Sequence, residues 1–269
     1  MNLTSPSQVK SWCIENSFHP NRVMGQNFLV DRNQLLAIVD AAFEGLDPAG
    51  ARILEVGPGL GVMTQELLAR GAHVTAVEKD RILAARLAES LGSPPGLSVI
   101  AADALDYAAD DFGGETFDAM VSNLPYQAGT RILLDVVATR KIPVVVCLLQ
   151  TEVAERLAAK EGGKARGLSG VWAQLDYDVK ILRKVPASCF WPRPAVSSSL
   201  ARLSMHGKHD DLDDSARRAF RSITKRAFAQ RRKQIGNIFP DLIESTRRAE
   251  ELSIEDWIKI AKGLKNENT

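Results

Sequence analysis

The heptapeptide Glu55-Val56-Gly57-Pro58-Gly59-Leu60-Gly61 decides the fold of this chain. It overlaps the end of an apolar run, Arg52–Val56, that has the length and composition of a buried strand, and a stretch of helical spacing follows over residues 62–70. Glycines allow the backbone to turn tightly and to approach a ligand closely. The heptapeptide therefore predicts a strand–turn–helix unit with a ligand at the carboxyl end of the strand.

Apolar runs alternate with amphipathic stretches on both sides of this unit, which predicts an α/β protein with a parallel sheet covered by helices. Further strands are expected at 73–78, 97–101, 117–122, 143–149, 177–185 and 197–203. Helices are expected at 81–91, 130–138 and 152–160. Beyond a polar, acidic linker at 206–214, residues 215–265 have helical period, and Ser253 with Asp256 marks the start of the last helix.

The glycine spacing distinguishes two kinds of nucleotide-binding loop. A dinucleotide fingerprint has the spacing G-x-G-x-x-G, whereas here the third glycine comes one residue early and Val62 takes its place. This spacing favours the E-x-G-x-G-x-G loop of enzymes that bind S-adenosylmethionine. The cofactor-binding positions of that loop are Glu55, Gly57, Gly59 and Gly61.

Acidic residues also follow the next two strands. Glu78 ends the run 73–78, where a carboxylate can accept both ribose hydroxyls of a cofactor. Asp103 follows the run 97–101, where it can accept the amine of the cofactor adenine. Ligands of open α/β sheets bind at this carboxyl edge. The pattern therefore predicts S-adenosylmethionine as the cofactor.

The tetrapeptide Asn123-Leu124-Pro125-Tyr126 follows the fourth expected strand of this series. An adenine amine is a poor nucleophile because its lone pair is delocalised into the ring. Two acceptors for its hydrogens, the side-chain oxygen of Asn123 and the carbonyl of Leu124, would expose that lone pair to a methyl group. Pro125 fixes the turn and keeps Leu124 extended, and Tyr126 offers a face on which the base can stack. We therefore expect methyl transfer to an adenine amine.

Six sequence blocks occur in the order found in one enzyme family. They are Gln26–Leu29 (QNFL), Glu55–Gly61 (EVGPGLG), Asp103–Leu105 (DAL), Asn123–Tyr126 (NLPY), Gln150–Arg156 (QTEVAER) and Phe190–Ser198 (FWPRPAVSS). Together they resemble the ribosomal RNA adenine N6-dimethyltransferases, particularly the bacterial small-subunit (KsgA) type, over about residues 20–240. Arg166 departs from the pattern, because a tyrosine is common at that position.

The resemblance implies a Rossmann-like, seven-stranded methyltransferase domain, expected at residues 1–205, and a small helical, RNA-binding C-terminal domain at 206–269. It also implies dimethylation of two adjacent adenosines near the 3′ end of small-subunit (16S) ribosomal RNA, within a pre-ribosomal particle. Phe190 is expected to stack on the target base opposite Tyr126. The implied cofactor contacts are Gln26, Asn27, Leu29, Gly57, Glu78, Asp103 and Asn123.

Positive charge is concentrated near the C-terminus. From Ser215 to Pro240 there are eight basic residues and no acidic one, although the whole chain carries a net charge of only +1. A basic surface of this kind favours a polyanionic partner over a simply solvated helix face. The candidate RNA-binding residues are Arg217, Arg221, Lys225, Arg231, Arg232 and Lys233.

Three other functions share parts of this pattern. The erythromycin-resistance relatives have the same pocket and modify one adenine of large-subunit RNA; the match around 150–156 and in the helical tail favours the small-subunit type. An RNA-binding assembly factor without chemistry is the second, and intact Glu78, Asp103 and Asn123–Tyr126 argue against it as the sole role. A DNA adenine methyltransferase is the third, and it lacks support because no separate target-recognition domain is evident.

Composition places the chain among ordinary globular proteins, with 45% hydrophobic and 25% charged residues. The three cysteines lie far apart and the four histidines are scattered, so neither a disulfide framework nor a metal site is expected. No secretory signal is evident, and the longest apolar run, at residues 142–149, is too short to span a bilayer. We therefore expect a monomeric cytoplasmic protein without a membrane anchor.

Overall fold

The computed structural model describes residues 2–21 and 24–266 and has an α/β fold. The strands, in chain order, are β1 (Phe28–Leu29), β2 (Arg52–Val56), β3 (His73–Glu78), β4 (Leu97–Ala101), β5 (Ala119–Asn123), β6 (Val144–Gln150), β7 (Tyr177–Val185), β8 (Phe190–Trp191) and β9 (Ser198–Met205). The helices are α1 (Pro6–Glu15), α2 (Arg32–Ala42), α3 (Val62–Ala69), α4 (Arg81–Ser90), α5 (Ala104–Ala109), α6 (Gly129–Thr139), α7 (Thr151–Ala158), α8 (Leu168–Gln174), α9 (Asp214–Ala229), α10 (Ile235–Ile238) and α11 (Ile254–Asn266).

Seven strands form the main sheet in the order β4-β3-β2-β5-β6-β9-β7. The neighbours from β4 to β6 are parallel, which confirms the predicted α/β class with a seven-stranded sheet. Strand β9 departs from the all-parallel expectation and runs antiparallel to β6. In the sheet β9 lies between β6 and β7, and it follows β7 in the chain after only a short 3-10 turn and the two-residue strand β8. Parallel neighbours need a longer crossover, usually a helix, and this connection is too short for one.

Buried aliphatic side chains explain why the central strands form. Strand β6 reads VVVCLLQ, and its residues from Val145 to Leu149 are buried, as expected for a strand covered on both faces. Aspartate caps begin four of the helices: the carboxylates of Asp31, Asp80, Asp103 and Asp213 accept from backbone N–H groups at the start of α2, α4, α5 and α9. Each carboxylate thereby satisfies donors that the helix itself leaves without partners.

The chain divides into two compact units, residues 1–154 with 180–205 and residues 155–179 with 206–269. The second unit therefore takes in residues 155–179 besides the segment 206–269. Its core joins aromatic and aliphatic residues of α8, α9 and α11, among them the fully buried Phe220 and Trp257. At the start of α11, the Ser253 hydroxyl accepts from the Asp256 N–H and the Asp256 carboxylate accepts from the Ser253 N–H, both at 3.0 Å. This reciprocal cap confirms the predicted helix start.

The structure also describes the cysteines, the apolarity of the helices and the groups that could hold a metal ion. Cys13, Cys147 and Cys189 are buried free thiols. Within residues 2–21 and 24–266, no helix is both long and apolar enough to cross a bilayer. The same part of the chain contains no group of three or more His, Cys, Asp or Glu side chains arranged to hold a metal ion.

Candidate active site

A cavity of about 460 Å³ opens at the carboxyl ends of β2, β3, β4 and β5. This is the edge at which open α/β sheets bind their ligands, and the volume is ordinary for a small-molecule site. The fold brings most of the predicted site residues into its wall: Gln26, Asn27, Leu29, Gly57, Gly59, Glu78, Asp103, Asn123 and Pro125. Two predicted cofactor residues, Glu55 and Gly61, lie outside the wall.

The three predicted glycines have positive φ but differ in their surroundings. Gly57 has φ of 67°, and a Cβ at this residue would meet no atom within 4 Å, so the backbone borders open space. A Cβ at Gly59 would lie 3.0 Å from the Phe28 ring. Gly61, with φ of 87°, begins α3, and a Cβ there would lie 2.6 Å from Leu87 Cδ1. Gly57 therefore borders the cavity, whereas Gly61 allows α3 to pack against α4.

The Glu78 carboxylate is held in place by the backbone. Its Oε2 accepts from the Gly59 N–H at 3.1 Å, and its Oε1 accepts from the Asp80 N–H at 2.8 Å. Burial raises the pKa of Glu78, and these two hydrogen bonds act in the opposite direction. The glycine loop and the end of β3 thus fix this carboxylate at the cavity wall.

Asp103 carries its charge beside a lysine. Its Oδ1 accepts from the Leu105 N–H at the start of α5, and its Oδ2 lies 2.7 Å from Lys79 Nζ. The hydrogen bond from Lys79 lowers the pKa of Asp103 below its ordinary value. Lys79 also lines the cavity and was not predicted from the sequence. Asp103 is therefore an ionised acceptor at this edge.

Glu55 lies behind the loop, away from the cavity wall. It is completely buried, and its Oε2 accepts from the Thr64 hydroxyl on α3 at 2.7 Å. Its Oε1 has no hydrogen-bond partner in the structure. Desolvation raises the pKa of Glu55 to about 8, so the side chain is largely protonated at neutral pH. Glu55 therefore connects the end of β2 to α3 beneath the glycine loop.

Asn123 ends β5 at the opposite side of the loop. Its Nδ2 donates to the carbonyl of Asn27 at 2.7 Å, and Asn123 itself lines the cavity. The Asn27 side chain donates in turn to the Gly25 carbonyl at 3.0 Å. Gln26 donates from Nε2 to the capping carboxylate of Asp80 at 2.8 Å. The QNFL block is thereby bound to both β5 and the start of α4.

The remaining predicted catalytic residues surround the turn after β5. Leu124 is 1% exposed, and its N–H donates to the Leu148 carbonyl at 3.3 Å. Tyr126 is half-buried, and its hydroxyl lies 2.7 Å from the Ser198 hydroxyl. Phe190 lies in β8 opposite Leu29 of β1 and is only 3% exposed. Leu124, Tyr126 and Phe190 are thus packed in the same unit as the cavity but do not line its wall.

Sequence reasoning missed the N-terminal contribution to the cavity. Leu3 and Val9 line it, the latter from α1, and Met24 and Gly25 add to the same wall. No motif marks α1, because it buries only Val9 and Cys13 and its apolar residues form no clear stripe. A helix with so weak a periodic pattern is found only when the tertiary structure is known.

The predicted RNA-binding residues of the second unit fall into different environments. Arg217 is 12% exposed; it forms an ion pair with Asp176 at 2.8 Å and donates to the carbonyls of Leu212 and His209. These donors are committed to the fold, because Asp176 is itself buried. The guanidinium of Arg221 lies over the Trp172 ring, 5.2 Å from its centroid. The structure therefore gives Arg217 a structural role.

The other four candidates lie on the surface of that unit. Lys225, Arg231, Arg232 and Lys233 are all exposed. Arg231 donates to the Lys164 carbonyl at 2.9 Å and lies 3.4 Å from the Glu250 carboxylate. The four residues follow one another along the second half of α9 and the turn behind it. They leave positive charge accessible to a large polyanion.

Arg166, which departs from the sequence pattern, is nearly completely buried. Its guanidinium donates to the carbonyls of Ala159 and Leu252 and to the Gln174 side chain at 3.1–3.3 Å. Desolvation lowers the pKa of Arg166, and the charges of Glu161 and Glu255 act in the opposite direction. Arg166 therefore connects segments within the second unit and is not placed to contact RNA.

Comparison with known proteins agrees with this architecture. A sequence model of the family "Ribosomal RNA adenine dimethylase" matches residues 17–268. The "Ribosomal RNA small subunit methyltransferase A" of Mycobacterium avium (strain 104) is 35% identical over 280 residues, covering 96% of this chain and 87% of that protein. The protein of the same description from Chlamydia abortus is 33% identical over 279 residues and covers 97% of each chain.

Solved structures show the same fold. A dimethyladenosine transferase from Plasmodium falciparum superposes with a TM-score of 0.76 at 19% identity, covering 88% of this chain and 97% of that chain. The 23S rRNA methyltransferase ErmE superposes with a TM-score of 0.68 at 25% identity, covering 89% and 100%. The family match spans nearly the whole chain. This chain therefore belongs to the ribosomal RNA adenine dimethylase family, whose enzymes take the methyl group from S-adenosylmethionine.

Proposed function

We propose that this enzyme transfers methyl groups from S-adenosylmethionine to N6 of two adjacent adenosines near the 3′ end of small-subunit (16S) ribosomal RNA. The observation that carries the proposal is Asn123: it lines the cavity with its amide nitrogen already bound to the Asn27 carbonyl. Its Oδ1 is then the atom available to accept from a substrate amine. Relatives that are 33–35% identical over nearly the whole chain are named as methyltransferases of small-subunit ribosomal RNA.

The residues of the wall fit S-adenosylmethionine. The Glu78 carboxylate, fixed by two backbone N–H groups, would accept the ribose hydroxyls, and the ionised Asp103 would accept the adenine amine. At Gly57 the absence of a side chain leaves open space for the methionine end of the cofactor. Gln26, Asn27 and Leu29 complete the wall. Glu55 and Gly61 would contribute indirectly by holding α3 beneath the loop.

The chemistry required of the protein is activation of the adenine amine. The cofactor, when bound, supplies an electrophilic methyl group on a sulfonium. Asn123 Oδ1 and the Leu124 carbonyl would accept the two amine hydrogens, which favours a tetrahedral nitrogen with its lone pair directed at the methyl group. Acceptors fixed before the reaction stabilise the developing charge without reorganisation. After transfer the positively charged nitrogen would release its extra proton to water, so no strong base is needed for the transfer itself.

Pro125, Tyr126 and Phe190 would position the base. Pro125 restricts Leu124 to an extended conformation, which fixes the direction of its carbonyl. Stacking on Tyr126, with Phe190 opposite, would hold the adenine in line with the methyl group, and such orientation is worth several kcal/mol of the barrier. Phe190 pairs with Leu29 of β1 and is only 3% exposed, so stacking on it would require its ring to be uncovered when the base binds.

We assign RNA binding to the helical second part of the chain. Residues 206–269 would serve as the RNA-binding domain and residues 1–205 as the methyltransferase domain, with Lys225, Arg231, Arg232 and Lys233 contacting phosphates and Arg221 assisting. The exposure of the four residues and the absence of acidic residues between 215 and 240 support this assignment. We further propose that the enzyme is a cytoplasmic monomer and that its substrate is a pre-ribosomal particle.

Two alternatives lead to different outcomes in one experiment. The enzyme would be incubated with S-adenosylmethionine labelled in its methyl group and with purified small or large ribosomal subunits from cells that lack the adenine modification. The proposal predicts label in the small subunit and none in the large one. Label in the large subunit alone would indicate an activity of the ErmE type. Binding of small subunits without transfer, by folded protein, would indicate an assembly factor.

A further inference from the structure

A buried serine is bonded to the tyrosine of the NLPY turn. The hydroxyls of Tyr126 and Ser198 lie 2.7 Å apart, which is a short, normal distance between two hydroxyl oxygens. The two residues are 72 positions apart in sequence. Ser198 is 0% exposed, so its hydroxyl has no access to solvent and depends on protein partners.

The sheet fixes the position of Ser198. It is the first residue of β9 and lies opposite Gln150, the last residue of β6, in the antiparallel pair. On either side of it, the Ser197 carbonyl accepts from the Thr151 N–H at 3.1 Å, and the Ser199 hydroxyl donates to the Thr151 hydroxyl at 3.1 Å. The backbone at Ser198 is therefore held against β6 and the start of α7, and its side chain is a rigid reference point.

Tyr126 lies in a turn and has no sheet pairing of its own. It follows Pro125 in a turn outside any strand, and its half-buried ring is attached by two rotatable bonds. Gly25 packs against this turn, since a Cβ at Gly25 would lie 3.1 Å from Pro125 Cβ and 3.2 Å from the Tyr126 nitrogen. These contacts fix the backbone of the turn, and the hydrogen bond to Ser198 holds the far end of the side chain.

We propose that Ser198 is a positioning residue for methyl transfer: its hydroxyl holds the far end of the Tyr126 side chain and so fixes the position of the ring on which the target adenine stacks. The inference rests on the proposed function. Ser198 and Phe190 lie at the two ends of one short segment between β8 and β9. That segment therefore places one aromatic ring and anchors the other, which couples the two faces of the base site. Side chains locked by such supporting bonds hold reacting groups within the narrow tolerance that catalysis requires.

The test is a set of five variants, two of them controls, assayed on small ribosomal subunits. In Ser198→Ala, kcat/KM for the subunit should fall about three- to tenfold, which corresponds to one ordinary hydrogen bond. The dissociation constant for S-adenosylmethionine and the melting temperature should change little. Tyr126→Phe removes the same bond from the other side and leaves the ring intact, so it should produce a similar loss. The double variant should lose no more than either single one.

Matched controls separate positioning from a general packing effect. Ser199→Ala removes the hydroxyl of a neighbouring buried serine that bonds to Thr151, while the pairing of β9 with β6 still holds Ser198, so kcat/KM should change by less than about twofold. Ser198→Thr keeps a hydroxyl and should restore most of the activity. Equal activity of wild type, Ser198→Ala and Tyr126→Phe would overturn the inference and leave the proposed function intact. Additive losses in the double variant would also overturn it. An inactive wild type would overturn the proposed function itself.

Discussion

The amide nitrogen of Asn123 donates to the carbonyl of Asn27 at 2.7 Å, which links the end of β5 to a segment 96 residues earlier in the chain. This bond assigns the two ends of the Asn123 amide: nitrogen toward the backbone of the QNFL block, and oxygen as the remaining acceptor. An amide whose nitrogen already has a partner cannot rotate freely. The site therefore contains an acceptor for the substrate amine that is oriented before the RNA arrives.

Removal of this amide should abolish most of the catalysis. In Asn123→Ala we expect kcat to fall by about 10²- to 10³-fold, the usual loss for one oriented transition-state group. The measurement is single-turnover methyl transfer at saturating cofactor. The melting temperature serves as the control, because the side chain is only half-buried. A loss smaller than threefold would show that Asn123 does not activate the amine.

Changing Gly57 or Gly61 of the loop to alanine should have different effects. Gly61→Ala places a methyl group 2.6 Å from Leu87 Cδ1 at φ of 87°. We expect a fall of about 2 kcal/mol or more in the free energy of unfolding, from backbone strain and overpacking. In Gly57→Ala the new methyl group meets no protein atom, so backbone strain alone should lower the free energy of unfolding by about 1 kcal/mol. Because the methyl group lies in the open space of the cavity, it should weaken the binding of S-adenosylmethionine at least tenfold. Scanning calorimetry measures the stability and titration calorimetry the affinity for S-adenosylmethionine. If both variants lost stability and affinity in the same proportion, the separate roles of Gly57 and Gly61 would be contradicted.

Glu55 should make stability depend on pH. Its folded-state pKa of about 8 exceeds the unfolded value near 4.3, so the folded state retains a proton that the unfolded state has lost between these values. The stabilisation is fully present below about pH 4.3 and is lost as the pH rises toward about 8. Relative to Glu55→Gln, which cannot titrate, the wild type should lose up to about 1.4 kcal/mol per pH unit in this window. Denaturant unfolding at several pH values measures the difference, and parallel curves would refute the assignment.

The basic residues of the second unit should separate into RNA-binding and structural groups. A triple change of Lys225, Arg232 and Lys233 to Gln should reduce the slope of log affinity for single-stranded RNA against log salt by about 2, from about −3 to −4 in the wild type. Its melting temperature should not change. The control is Arg217→Gln, which removes the ion pair with the buried Asp176 carboxylate and should cost about 3 kcal/mol of stability with no change in salt slope. The reverse pattern would exclude the basic surface as the RNA site.

Local sequence patterns predicted much of the sheet. The bounds of β2, β3, β4 and β7 agree with the expected runs, and the helices α3, α4, α6 and α7 lie within one or two residues of their expected ranges. These elements have strong apolar periodicity, which local sequence records. The strands β1 and β8 have only two residues each and show no period, so their pairing depends on contacts between distant segments.

The sequence predicted the cavity of the site better than the surroundings of its individual side chains. Glycine spacing and acidic residues at strand ends predict a ligand cavity, because the carboxyl ends of parallel strands meet at one edge of the sheet. A side chain that is buried against a residue distant in sequence cannot be recognised from its local sequence pattern. Arg217 shares a helix face with Arg221 and Lys225, but its ion pair is with Asp176, 41 residues earlier. Glu55 belongs to the loop motif, but its side chain faces Thr64 on α3. The Ser198 anchor of Tyr126 is a third contact of this kind.

The most direct test of the account is the position and number of the methyl groups on the RNA. Small-subunit RNA would be recovered after reaction with the purified enzyme, cut to its 3′ fragment and analysed by nucleoside mass spectrometry and primer extension. The account predicts N6-dimethyladenosine at two adjacent positions, absent with Asn123→Ala. Methylation of another nucleoside, or of an adenosine outside the 3′ region, would contradict it.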